Sequence, residues 1–362
     1  MVLARKNIQN ATPYIAGKPI EETKRELGLK EVIKLASNEN PLGPSPKAMQ
    51  AIRKALATVN RYPDSNGFYL KNKIASGLNL AAENIVLGNG SDELIDIIIK
   101  TFVEEDENIV TADITFLEYE IIAKAYNRQV KPVALKDYKF DLEAIAKAID
   151  AKTKVVFIAN PNNPTGTYVT KSELEKFLKT SPETVILDLD EAYDTFIDVS
   201  DYPYGRDYLA ENNVITLKTF SKAYGLAGLR IGYALADAKF SNYMEKARQP
   251  FNVNLLAQEA ALAALDDAAF LKKTRKVILD GKKYIYSALD EMNLKYVPSV
   301  ANFVLVDVGR DCLSVFKELL KLGVIVRDMK QYGLNNFVRV TIGTFSENKR
   351  LIFAFKKVFK KS

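Results

Sequence analysis

The chain has 362 residues, 48% of them hydrophobic, and carries 51 basic against 45 acidic side chains, a formal net charge of +6 with no histidine. A chain of this length buries one substantial core and a smaller second one. The lack of histidine removes Ser-His and Cys-His catalytic pairs and every His-ligated metal site, so no metal centre is expected and acid–base work falls to Lys, Tyr, Asp or Glu.

The first 30 residues, with Pro13, Gly17 and Pro19, read as an irregular arm leading into a helix. Residues 31–255 are expected to form a large domain, because strand-like and helix-like runs alternate between about residues 84 and 236. The strands expected are Asn84–Leu87, Ile109–Thr111, Val130–Leu135, Val155–Ala159, Val185–Leu189, Val214–Leu217 and Gly228–Ala234. Helices are expected over Asp92–Val103, Leu117–Asn127, Leu142–Ile149 and Lys171–Lys179, the last two capped by Asp141 and Thr170. This rhythm predicts an α/β domain with a mainly parallel sheet sandwiched by helices, whose ligands sit at the carboxyl ends of the strands. Residues 256–362 change pattern. Amphipathic helices over Leu255–Leu265 and Ala268–Met292 are followed by strands at Asn302–Val306, Val324–Arg327 and Val338–Ile342, which predicts a smaller α+β domain. Cys312, the single cysteine, reads as a buried helical residue.

No run reaches the roughly 18 apolar residues of a membrane span. The start, Met1 to Asn7, lacks the apolar core of a signal peptide, so a cytoplasmic location is expected. Basic residues form no block or stripe of the kind that nucleic acids select, and the mild positive balance suits anionic small molecules.

Three segments carry chemistry. In Thr219-Phe220-Ser221-Lys222, with Arg230 eight positions on, an amine and two anion-binding groups gather near one strand end; a solvated lysine and a salt-bridged arginine are the plainer alternative. Asn160-Pro161-Asn162-Asn163-Pro164-Thr165-Gly166 follows an apolar strand and also reads as an ordinary Asn-Pro turn. Leu187-Asp188-Leu189-Asp190-Glu191-Ala192-Tyr193 places Asp190 at a strand terminus, where a helix cap is the alternative.

In this order the segments resemble the fold type I pyridoxal-phosphate-dependent aminotransferases, and within them the histidinol-phosphate aminotransferase family. Ser37-Asn38-Glu39-Asn40-Pro41, Arg61-Tyr62-Pro63-Asp64, Gly88-Asn89-Gly90-Ser91-Asp92-Glu93 and Val338-Arg339-Val340-Thr341 extend the likeness over nearly the whole chain. The resemblance implies that Lys222 holds pyridoxal phosphate as a Schiff base and then acts as the base, with Asp190 paired to the pyridine nitrogen. It implies Asn163 and Tyr193 at the phenolic oxygen, the Phe116 ring on the pyridine face, and Ser221, Arg230 and the amides of Ser91 and Asp92 at the phosphate. Tyr62 would reach that phosphate from the other subunit of a homodimer. Arg327 and Arg339, with Asn163 and the arm residue Tyr14, would bind substrate, a phosphorylated amino alcohol in one half-reaction and glutamate or 2-oxoglutarate in the other. At Asn336-Phe337 related sequences often carry Pro and His, a departure expected to alter the turn. The same scaffold fits an aromatic amino acid aminotransferase or a threonine-phosphate decarboxylase-like lyase. A pyridoxal-phosphate-sensing regulator would need an added DNA-binding domain that this sequence does not show.

Overall fold

The structure, a computed structural model, describes residues 3–9, 13, 15, 17–210 and 213–359. A two-residue strand, β1 (Ile33–Lys34), follows the helix Ile20–Leu27. Seven strands then build one sheet: β2 (Ile85–Gly88), β3 (Asn108–Ala112), β4 (Gln129–Val133), β5 (Thr153–Ala159), β6 (Ile186–Asp190), β7 (Val214–Thr219) and β8 (Gly232–Ala236). Their order across the sheet is β2-β8-β7-β6-β5-β3-β4, and β8 alone runs against its neighbours. Helices cover both faces, so β3 and β6 are buried along their whole length, the two aspartates of β6 included.

The expected caps form. Asp141 accepts from the amides of Glu143 and Ala144, and Thr170 makes a capping box with Glu173. One strand of this sheet begins later than expected. Gly228–Ile231 lies outside the ladder: Ala227–Leu229 makes a 3-10 turn, Arg230 takes a left-handed conformation at φ 56°, and strand register begins at Gly232. The chain needs those residues to climb back from Lys222 to the sheet edge.

The C-terminal part contains β9 (Tyr296–Val297), β10 (Phe303–Asp307), β11 (Val324–Ile325), β12 (Arg327–Asp328) and β13 (Phe337–Thr341). Four of these form an antiparallel sheet in the order β12-β13-β10-β9. Val324–Arg327, expected as one strand, is split at Val326. Its first half pairs in parallel with β1 and its second with β13. Residues 31–255 thus include a strand whose partner lies in the C-terminal part. Asn336 donates to Asp307 at 2.8 Å, so the unusual turn before β13 is tied to the end of β10.

Two main cores result. The larger one spans both faces of the seven-stranded sheet. The second, around Phe303, Val306, Val340 and Phe355, also takes in Leu35, Tyr193 and Ala223 from chain segments at the edge of the large sheet. Cys312 is buried there at the start of the helix Cys312–Lys321. No helix among the described residues is long and apolar enough to cross a membrane.

Candidate active site

Because β8 is antiparallel, its first residue lies at the same edge as the last residues of β2, β5, β6 and β7. That edge faces the second core, and between them is a cavity of about 250 Å³. Lys222, Asp190, Tyr193, Asn163, Phe116, Ser91, Asp92, Ser221, Arg230, Arg327 and Arg339 all line it. Eleven positions spread over 249 residues of sequence thus meet in one space, as a strand-end site requires.

One end of the cavity is built for an anion. The helix Ser91–Phe102 starts after Gly90 with no side-chain cap, leaving its first amides without partners inside the helix. Arg230 reaches the same place, its Nη1 3.5 Å from the Ser221 hydroxyl and its Nη2 2.7 Å from Asp92. A Cβ on Gly90 would sit 2.5 Å from the Arg230 guanidinium, and one on Gly232 would sit 2.9 Å from the Ser91 nitrogen. Only glycine at these two positions lets cation and helix terminus converge. The left-handed backbone of Arg230 is a local strain that this convergence explains.

At the floor stands Asp190, 5% exposed. It accepts hydrogen bonds from the Tyr119 hydroxyl at 2.8 Å and the Ala192 amide at 3.1 Å. Burial raises its pKa to about 6, against the pull of those two donors, so near neutral pH it holds a charge in a desolvated setting. Lys222, half-buried, donates to the Ser37 carbonyl at 3.3 Å, and its Nζ lies 5.7 Å from the centre of the Tyr193 ring. The Tyr193 oxygen accepts from the Asn38 amide at 2.9 Å, which leaves its own hydrogen available to the cavity. Asn163 accepts from Arg339 through its side-chain oxygen, leaving its NH2 as the free end.

The opposite wall is cationic. Arg327 and Arg339 are register partners across β12 and β13, 6% and 5% exposed. Two buried guanidinium groups directly across a ladder repel each other, which an anion between them would relieve. Arg339 also donates to the Ala36 carbonyl at 2.8 Å and Arg327 to the Ile15 carbonyl at 2.6 Å, which brings the N-terminal arm against this wall.

One expected site residue stands apart. Tyr62 does not line the cavity; it is 83% exposed and stacks on Phe251 at 4.7 Å. Tyr14 lies outside the described residues. Two partners were missed in the sequence. Tyr119, three residues after Phe116, meets its ring edge-on at 5.7 Å and holds Asp190. Asn38, at φ 56°, holds Tyr193. The helical spacing of Phe116 and Tyr119 was a usable signal for the first; for the second, the Ser37-to-Pro41 motif marked the segment and not the contact.

Beneath the loop that carries Asp190 and Tyr193 lies a buried ion pair. Lys218 is 2.6 Å from Glu191 and also pairs with Asp194.

An amine, a desolvated carboxylate and paired guanidinium groups around an anion-binding helix terminus, on a sheet of this order, are the equipment of an enzyme that handles amino groups with an anionic cofactor. Residues 30–355 match the family Aminotransferase class I and II, and the chain belongs to it. It is similar to the histidinol-phosphate aminotransferase of Moorella thermoacetica, at 48% identity over 98% of this chain and 92% of that protein. Histidinol-phosphate aminotransferase 2 of Carboxydothermus hydrogenoformans is 44% identical over 98% of this chain and 99% of its own length. Among solved structures, histidinol-phosphate aminotransferase from Sinorhizobium meliloti in complex with pyridoxal-5'-phosphate is similar with a TM-score of 0.91 and 30% identity, covering 98% of this chain and 97% of that one. Aspartate aminotransferase from Thermus thermophilus with maleate, at 22% identity and a TM-score of 0.86 over 99% of this chain and 100% of that one, shares the fold.

Proposed function

We propose that this chain is a pyridoxal-phosphate-dependent aminotransferase acting on histidinol phosphate, with glutamate and 2-oxoglutarate as the second couple. The observation that carries the reading is the single cavity into which Lys222, Asp190 and the Arg327–Arg339 pair all open. The cofactor fits the residues present. The cradle that a Cβ at Gly90 would fill suits a phosphate, Asp190 suits a protonated ring nitrogen, Phe116 offers a flat face, and the free ends of Asn163 and Tyr193 suit a phenolic oxygen. Bound there, pyridoxal phosphate supplies an aldehyde that condenses with amines and a ring that takes up electrons from the bond being broken.

The chain's own residues do the rest. Lys222 Nζ is the one amine on the cavity wall among the described residues, and with guanidinium groups permanently protonated it is the nitrogen able to accept a proton from the substrate carbon. Asp190, held by Tyr119 and the Ala192 amide, keeps a fixed negative charge at the floor. Arg327 and Arg339 orient the substrate by its anion, and a guanidinium fork takes a phosphate ester or a carboxylate equally. One wall thereby serves both halves of the exchange.

A homodimer and a cytoplasmic location belong to the same reading. Val59, Tyr62, Phe68, Tyr69 and Phe251 are exposed aromatic or apolar side chains of the size that a partner surface covers, and a second copy would place Tyr62 near its neighbour's phosphate cradle. Absorbance spectroscopy of purified protein tests the central claim, with histidinol phosphate expected to shift the imine band to that of the pyridoxamine form. Borohydride trapping should label Lys222 and no other lysine. Phenylalanine turned over more efficiently than histidinol phosphate would refute the substrate. Carbon dioxide release without 2-oxoglutarate formation from glutamate would refute the reaction.

A further inference from the structure

One charged side chain on the cavity wall has no role in the scheme above. Glu118 opens the helix Glu118–Ala125, two residues after Phe116 and one before Tyr119, and lines the same cavity. The other charged groups there are engaged: Arg230 with Asp92, Arg339 with Asn163 and Ala36, Arg327 with Ile15, Asp190 with Tyr119, Lys222 with Ser37. The Glu118 side chain makes no hydrogen bond and no ion pair among the described residues. Burial raises its proton affinity, and the charge of Asp92 adds to this. This half-buried carboxylate has no protein donor among the described residues, and an N–H brought by a ligand that displaces water from it would supply one.

A donor bound in this cavity has three parts to place. Its anion goes to the arginine pair and its amine to Lys222, so its side-chain ring must meet another part of the wall. That wall also carries the Glu118 carboxylate, an acceptor with no side-chain donor among the described residues. A phenyl ring placed against it would take water from the acceptor and bring no donor in return. An imidazole brings one, because at least one ring nitrogen carries hydrogen in either protonation state. Resting on the functional reading given above, we propose that Glu118 is a specificity-determining residue, accepting a hydrogen bond from the ring N–H of an imidazole-bearing amino donor and thereby selecting it over a phenyl-bearing one.

The test uses two compounds that differ only in the ring, histidinol phosphate and phenylalaninol phosphate, on the pyridoxal-phosphate-loaded protein. The ratio of their kcat/KM values is compared among the wild type, Glu118→Gln and Glu118→Ala. The ratio of their calorimetric affinities is measured in parallel on Lys222→Ala protein with and without Glu118→Ala, where no turnover intervenes. Both ratios are expected to fall by about tenfold to a hundredfold in the alanine variant, the range of one hydrogen bond to a charged group. Glutamine, which retains a neutral acceptor, should lie between. Equal losses on both compounds, or unchanged ratios, overturn the assignment of Glu118 alone. A wild-type protein that does not bind histidinol phosphate overturns it together with the functional reading.

Discussion

Replacing Lys218 by methionine keeps the length of the side chain and deletes its charge from the interior. Lys218 is 7% exposed and 2.6 Å from Glu191, whose side chain is wholly buried. Burial lowers the proton affinity of Lys218, but the charges of Asp194 and Glu191 more than reverse this, so the pair is ionised. Glu191 is pushed upward by burial and restrained by Lys218. Without the lysine, a carboxylate with no exposed surface stands beside a second carboxylate, and the cost of breaking such a pair is about 3–5 kcal/mol. The loss depends on pH. In the variant, Glu191 has a proton affinity raised in the folded state, so its contribution is intact below the unfolded value, about 4.3, and is lost as the pH rises. Urea unfolding followed by circular dichroism should therefore show a larger deficit at pH 8 than at pH 6. Because Glu191 sits between Asp190 and Tyr193 and accepts from the Gly205 amide at 2.6 Å, cofactor affinity should fall in parallel. A deficit below about 1 kcal/mol, the scale of an exposed pair, or one equal at both pH values, would refute the argument.

Lys222→Ala should keep its circular dichroism spectrum and unfolding midpoint while losing transamination, since the half-buried lysine makes a 3.3 Å hydrogen bond to the Ser37 carbonyl and a long contact over the Tyr193 ring, and no ion pair among the described residues. Asp188, one pleat below Asp190, is fully buried with both oxygens unpartnered, and burial, then the charge of Asp190, pushes its pKa far upward. Asp188→Val should gain about 1–3 kcal/mol in denaturant titration, with the advantage appearing above pH 4 as the unfolded aspartate ionises; a loss at pH 7 would contradict this. Pyridoxal-phosphate affinity, measured by equilibrium dialysis, should weaken as the pH falls through about 6, where Asp190 takes up a proton. That step should vanish in Asp190→Asn.

The α/β rhythm, the caps at Asp141 and Thr170 and the C-terminal change of pattern were legible in the sequence because each depends on neighbours within a few residues. The Asn163, Asp190 and Lys222 segments were legible for a related reason: each follows an apolar run that could only be a buried strand. What misled was also local. Gly228–Ala234 has the composition of a strand, yet its first four residues serve the route of the chain and the reach of Arg230. Val324–Arg327 is apolar throughout its first three residues, and the split at Val326 exists because two different strands claim its halves.

The amino-acid order by itself determined which residues could carry the chemistry and which elements would hold them, since helix and strand periodicity and turn chemistry act over a few positions. Only the tertiary structure decided that Arg327 faces Arg339, that Tyr119 grips Asp190 and that Asn38 grips Tyr193. It also decided that β1 pairs with β11 from 291 residues away, Ile33 opposite Val324. These contacts are settled by sheet register and the joint burial of distant segments, which no local window contains.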